Sequence, residues 1–165
     1  MPGKTIGNVM PFGYAGNPSR MSDCVIAPYA FPVASATNNT KIQFGAPVVF
    51  DATLGGVRAI KSGDTAAAVI GIAVRHIGQP HEDNENGWYY VPGDTVDVML
   101  RGSIMVELEN TTSVAARGAV YVDPTTGKYY GATGSGYITL ANAKFATGKA
   151  DANKIAEITL VERVI

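Results

Sequence analysis

Charge is what this sequence has least of. Asp, Glu, Lys and Arg make up 16% of the chain, against ~25% in ordinary soluble domains. The 13 basic and 14 acidic residues nearly cancel, and neither sign forms a run. The clustered cationic footprint that nucleic-acid binding relies on is therefore missing. No apolar run approaches the ~20 residues a membrane-crossing helix needs, and Met1 to Gly7 holds no continuous apolar segment of the signal-peptide kind. Neither nucleic acid nor membrane is expected as a partner. With one cysteine, Cys24, no intrachain disulfide can form, and folding in a reducing cytoplasm is the simplest expectation. Helical periodicity is scarce too. Between Thr40 and Ile165 nothing repeats at 3.6 residues beyond one turn, apart from a weak helical pattern at Asn142 to Ala146.

What is present is a strand pattern, clearest from Val91 to Glu109. Val96, Val98, Leu100, Gly102, Ile104, Val106 and Leu108 hold the even positions. Asp97, Met99, Arg101, Ser103, Met105, Glu107 and Glu109 hold the odd ones. That alternation separates an apolar face from a mostly polar one in a strand, whereas a helix would scatter it. The phase is unchanged across Gly102, so the pattern predicts one long strand, or two collinear strands with a bend at the glycine. Pro92-Gly93-Asp94 supplies the turn before it. Ser62-Gly63-Asp64-Thr65 echoes Pro92-Gly93-Asp94-Thr95, and each opens a strand, so the same turn is expected twice. After the first copy, Ala68 to Arg75 has the composition of a strand buried on both faces.

Residues 1–40 read differently. Pro2, Pro11, Pro18, Pro28 and Pro32 are five of the nine prolines, interleaved with Phe12, Tyr14, Tyr29 and Phe31. Proline removes a ladder donor, which argues against a central strand or a helix. The stretch is too aromatic for a disordered tail. An extended arm with apolar anchors remains, packing over its own domain or reaching a neighbour. Residues 41–165 are expected to form a single β domain, and removal of residues 1–36 to leave it folded. Short strands recur there between turns: Gly45 to Asp51, Thr53 to Ile60, an aromatic strand through Trp88, Tyr89 and Tyr90, Ala119 to Val122, Lys128 to Tyr130, Tyr137 to Leu140, and Ile155 to Ile165. Asp123 to Gly127 is a hairpin loop and Gly148 to Asn153 a further turn. The fold class is all-β, a compact barrel or sandwich of short antiparallel strands with an extended N-terminal arm.

Candidate chemistry is thin. His76, His81, Glu82, Asp83 and Glu85 are the best metal-ligand candidates by composition, but a zinc site wants defined spacing, and a solvated loop explains the run more simply. Gly3-Lys4-Thr5 lacks the earlier glycine and strand of a phosphate loop. Gly131 to Gly136 is glycine-rich without a following helix. Cys24 sits between Asp23 and Val25 in the proline-rich stretch and no Gly-x-Ser-x-Gly elbow exists, so an inert thiol is expected, and Asp94 and Asp97 are accounted for by a turn and a solvent-facing position. No cofactor, metal or catalytic set is assigned. Low charge leaves two options, a neutral polar surface or burial against partner chains.

Ser62 to Arg75, Tyr90 to Val106, Ala119 to Gly127 and Phe145 to Asn153, in that order and spacing, resemble the structural cement (head decoration) proteins of tailed bacteriophages. The resemblance spans about residues 40–165. It implies a non-enzymatic β domain on the outer surface of a virion, made in the host cytoplasm. It implies binding across joints between major capsid protein subunits and stabilisation of the shell against packaged DNA. It further implies a homo-oligomer, dimer or trimer, on a local symmetry axis. Phe12, Tyr14, Tyr29 and Phe31 are then the candidate partner-binding anchors of the arm. Two other readings are a carbohydrate-binding module with Trp88, Tyr89 and Tyr90 as stacking platform, and another virion component such as a tail or collar subunit.

Overall fold

The computed structural model describes residues 12–33, 41–76, 78, 81–83 and 87–161, with 81–83 and 87 described by their backbone. Twelve strands occur in this order: β1 (Pro18–Ala30), β2 (Ile42–Gln43), β3 (Pro47–Asp51), β4 (Gly56–Ala59), β5 (Val69–Ala73), β6 (His81–Asp83), β7 (Gly87–Tyr90), β8 (Thr95–Glu107), β9 (Ala119–Val122), β10 (Tyr129–Tyr130), β11 (Ile138–Ala150) and β12 (Ile155–Leu160). Nine form one sheet in the order β10-β9-β11-β12-β8-β5-β3-β4, with β1 added on β8. The remaining β2, β7 and β6 form a second, three-stranded sheet. All strand pairs are antiparallel; the only parallel pairing among the described residues is an isolated bridge between Leu108 and Tyr129. The fold is all-β, as the sequence predicts. Its strands are not uniformly short, since β1, β8 and β11 each run 13 residues.

The alternating stretch is β8, and it lies at the centre. Met99 is paired with both Ile26 and Ile72, and Ile104 with both Pro18 and Ile158. Thus β1 follows one edge of β8, while β5 and β12 share the other. The predicted apolar face is buried at Val96, Val98, Ile104, Val106 and Leu108. It does not serve one core, however. Val96 and Val98 enter a smaller cluster with Phe31, Ile42, Phe44, Val48, Val57, Ala73 and Tyr90. Met99 from the opposite face, and then Ile104, Val106 and Leu108, enter a larger cluster with Phe145, Ile158 and Tyr129. The change happens around Gly102, whose φ of 123° rotates the strand. Opposite it β1 bulges, with residues 21–24 lying between the pairs Arg20↔Ser103 and Val25↔Arg101. A Cβ on Gly102 would stand 2.9 Å from Cys24 Sγ.

The same double burial explains β3 and β5. Val48 faces the smaller core and Val49 the larger. In β5, Val69 and Ile72 face the larger core and Ala73 the smaller. The switch of parity is a bulge: Val48 pairs with Gly71 but Val49 with Val69, leaving Ile70 extra. Ala68 to Arg75 was expected to be buried on both faces, and it is a wall between two cores.

The described part of the N-terminal stretch is extended and packs over its own domain, one of the two options composition leaves open: residues 18–30 are a strand of the main sheet. Proline fits because β1 pairs with β8 alone, and an edge strand tolerates residues that cannot donate on its outer side. Pro18 begins the strand and Pro28 lies opposite Asp97. Phe31, 1% exposed, belongs to the smaller core. Its N–H donates to the Asp94 carbonyl and its carbonyl accepts from Gly93 N–H. The weak helical pattern at Asn142 to Ala146 is also overruled, because those residues lie inside β11. Pairing with β12 on one side and β9 on the other decides their conformation over local propensity. The turn echo holds in detail. Asp64 Oδ2 accepts from Lys61 N–H and Asp94 Oδ2 from Val91 N–H, each at 2.8 Å. Gly63 and Gly93 sit between them at φ 90° and 105°.

Two outcomes are expected. A Cβ on Gly71 would lie 2.3 Å from the Met99 carbonyl oxygen, backbone that cannot yield, so Gly71→Ala should cost roughly 1–3 kcal/mol in a denaturant melt. A chain beginning at residue 34 lacks β1 and Phe31, and loss of a buried Phe side chain alone costs about 3–5 kcal/mol. That truncation should lose its cooperative thermal transition by circular dichroism, contrary to what composition suggests.

Candidate functional site

The four aromatic residues proposed as anchors end in different places. Phe31 is core, so its ring is not presented to a partner. Tyr29 is half-buried against the smaller core and meets Phe50 edge-on, with ring centroids 6.3 Å apart. Tyr14 is 65% exposed, with the Arg75 guanidinium 4.4 Å from its ring. Phe12 is half-buried, and its N–H donates to Asp151 Oδ2. Residues 12–17 therefore run as a strap bonded to the domain: Gly16 N–H donates to the Met105 carbonyl, and the Gly16 carbonyl accepts from Arg75 N–H.

Other apolar groups reach the surface that composition did not single out. Met21, Val33, Phe50, Val161 and Ile26 are all exposed. Met21 stands on the β1 bulge, which is tied down by the Arg101–Asp23 ion pair and by Cys24 Sγ donating to the Arg20 carbonyl. Phe50 stands on the β3–β4 hairpin, where Arg58 bonds both Asp51 and Asp64. Further along β1's flank, Glu157 is buried at 6% exposure and accepts from Ser19 Oγ and Arg20 Nε. Period-2 patterning identifies buried positions, but exposure at a rim or bulge depends on where the sheet stops.

The aromatic run on β7 does not make a platform. Tyr90 is fully buried, and its hydroxyl donates to the Val74 carbonyl at 2.6 Å; burial pushes its phenol up to about 12. Trp88 lies beneath Arg75, whereas Tyr89 carries Lys41, so neighbouring rings engage different cations. His76 Nδ1 is 3.8 Å from Asp97 Oδ2. His81, Glu82 and Asp83 form β6, paired with β7, and Glu85 lies outside the described residues. Among the described residues no group of three His, Cys, Asp or Glu is placed to hold a metal ion.

Two hollows remain. One of about 60 Å³ lies among Tyr14, Phe44, Arg75 and Trp88. The other, about 420 Å³, is a cleft between Ala59–Ile60 at the end of β4 and the β9–β10 hairpin, with Lys41 and Lys128 in its lining. These are the two ends of the nine-stranded order, so the sheet curls until its ends face each other across the cleft.

Residues 2–161 match the model of a family described as structural cement protein (E217 gp24/Pam3 gp6). The fold is similar to a chain in the solved structure "The capsid of Myoviridae Phage XM1", with a TM-score of 0.71 and 18% identity, covering 100% of each chain. At that identity the likeness is one of fold. No curated protein matches.

The ion network under Phe50 sets an acid limit. Burial alone would raise the Asp64 carboxyl, but the Arg58 guanidinium and Lys61 N–H outweigh it and hold it below its ordinary 3.8. A depressed carboxylate stabilises the fold above its unfolded value and loses that contribution as pH falls through the folded one. Asp64→Asn should therefore lower stability at pH 7 by roughly 1–2 kcal/mol and flatten the stability profile below about pH 4, read by denaturant midpoints along a pH series.

Proposed function

The chain belongs to the phage structural cement protein family, and from that premise we propose that it binds the outside of the head across major capsid protein subunits, as a dimer or trimer, and stabilises the shell against internal DNA pressure. The observation that carries this reading is a surface poor in ions and furnished with large apolar side chains. Tyr14, Met21, Ile26, Val33, Phe50 and Val161 are at least 37% exposed on a chain with 16% charged residues. Aromatic residues and methionine are enriched in interface cores and charge is depleted there.

Several of these groups are held in place before any partner arrives, which reduces the ordering cost of association. Tyr14 is fixed by Arg75, Met21 by the braced bulge and Phe50 by the Arg58 network. Each contact is small, and repeated copies around a symmetry axis would add avidity without new contacts. The role is structural rather than enzymatic, and its setting is the virion. No helix among the described residues is long and apolar enough to cross a membrane.

The test is reconstitution on heads lacking this protein. Added protein should bind to saturation at a copy number comparable to the shell subunit and raise the temperature at which heads release DNA. A double change, Met21→Ser with Phe50→Ser, should weaken binding by about tenfold or more while the melt of the free protein changes little. Native mass spectrometry should report the dimer or trimer; heads that bind no protein would end the proposal.

A further inference from the structure

The 420 Å³ cleft brings two lysines together with hydroxyl, amide and apolar groups. Its lining includes Lys41, Gln43, Ile60, Thr125, Thr126 and Lys128, and no Asp or Glu. The chain as a whole carries a formal charge of −1, whereas the cleft holds two lysines with one carboxylate, Glu107, beside them. Glu107 pairs with Lys128 at 3.0 Å from behind, and Lys41 Nζ lies over the Tyr89 ring at 4.4 Å, so both ammonium groups are positioned. Gly127, at φ 71°, brings the hairpin to within 3.7 Å, measured from an added Cβ, of Ile60 Cγ2. The floor is thus apolar and the polar groups are hydroxyls, an amide and ammonium.

Beside it, a cavity of about 10 Å³ shares Gln43, Ala46, Gly127 and Lys128 with the cleft and is lined also by Glu107 and Tyr129. The Tyr129 hydroxyl is buried and makes no hydrogen bond among the described residues. Buried polar groups are ordinarily satisfied. The cavity that Tyr129 lines has room for no more than a water-sized group.

The geometry points to this cleft as the receptor for an acidic, extended segment of the shell protein, its carboxylates meeting Lys41 and Lys128 and its aliphatic stems lying on Ile60. This rests on the reading of the chain as a shell-binding protein and adds the place and chemistry of one contact. Complementary charge supports that occupant: two lysines against the single carboxylate of Glu107, which pairs with Lys128, leave the cleft with a net positive charge that attracts acidic segments and repels basic ones. The volume of about 420 Å³ falls in the ~300–1,000 Å³ range of small-ligand pockets, so it takes a few side chains of a segment rather than a folded element.

Carbodiimide, which joins ammonium to carboxylate without a spacer, should link Lys41 or Lys128 to Asp or Glu of the shell subunit on decorated heads, read by peptide mass spectrometry. Lys41→Glu with Lys128→Glu should weaken head binding at least tenfold and remove most of its salt dependence. Lys144→Glu, the same charge change on exposed β11, should alter binding less than twofold. Thr125→Trp keeps both lysines and fills the cleft from an exposed position, so it tests the site should the double variant fail to fold; it too should cost tenfold. Wild-type binding with unlinked Lys41 and Lys128, or with Thr125→Trp binding as wild type, overturns this inference and leaves the shell-binding reading standing. Failure of the wild type to bind heads removes both.

Discussion

The structure depends on strands whose two faces are both buried. β3, β5 and the first half of β8 form a wall with one hydrophobic cluster on either side. Both clusters exclude water only while that wall keeps its register, and a slip of one residue would exchange the sets they receive. Three local devices hold it: the Ile70 bulge, the bare backbone of Gly71 against the Met99 carbonyl, and the rotation at Gly102. Each converts a simple alternating pattern into a strand that changes which core it feeds.

From that arrangement the surface follows. Apolar side chains in the wall are consumed internally, and those left over appear at the margins: on the β1 bulge, on the β3–β4 hairpin, at the end of β12 and on the strap of residues 12–17. Polar side chains are spent on bracing these margins, as in Arg58 with Asp51 and Asp64, and Glu157 with Ser19 and Arg20. The molecule thus spends its few ions on internal ties and presents apolar groups on fixed supports. That distribution suits a protein whose work is contact with other protein, consistent with its membership of the cement family.

Much of this was legible beforehand, for a physical reason. Alternation is a local property, so β8, the twice-used Gly-Asp turn and the doubly buried β5 could be read from residue order. The arm could not. Pro18 and Pro28 exclude a central strand but not an edge strand, and composition does not reveal which edge of which strand is free to receive them. Nor could Phe31 be told from an exposed anchor, since its burial depends on Gly93, Asp94 and Tyr90, about sixty residues away. The 141–150 stretch, rich in Ala and Lys, carries weak local preference and takes its conformation from β9 and β12.

Residue order by itself determined the class of fold and the positions of the turns, because each depends on neighbours in the chain. It also carried the family resemblance. Only the tertiary structure decided that one alternating strand supplies two cores, that the proline-rich segment is an edge of the main sheet, and that two lysines eighty-seven positions apart share a cleft. Those outcomes follow from how a long sheet twists and curls, and curvature is set by contacts between residues that the chain keeps far apart.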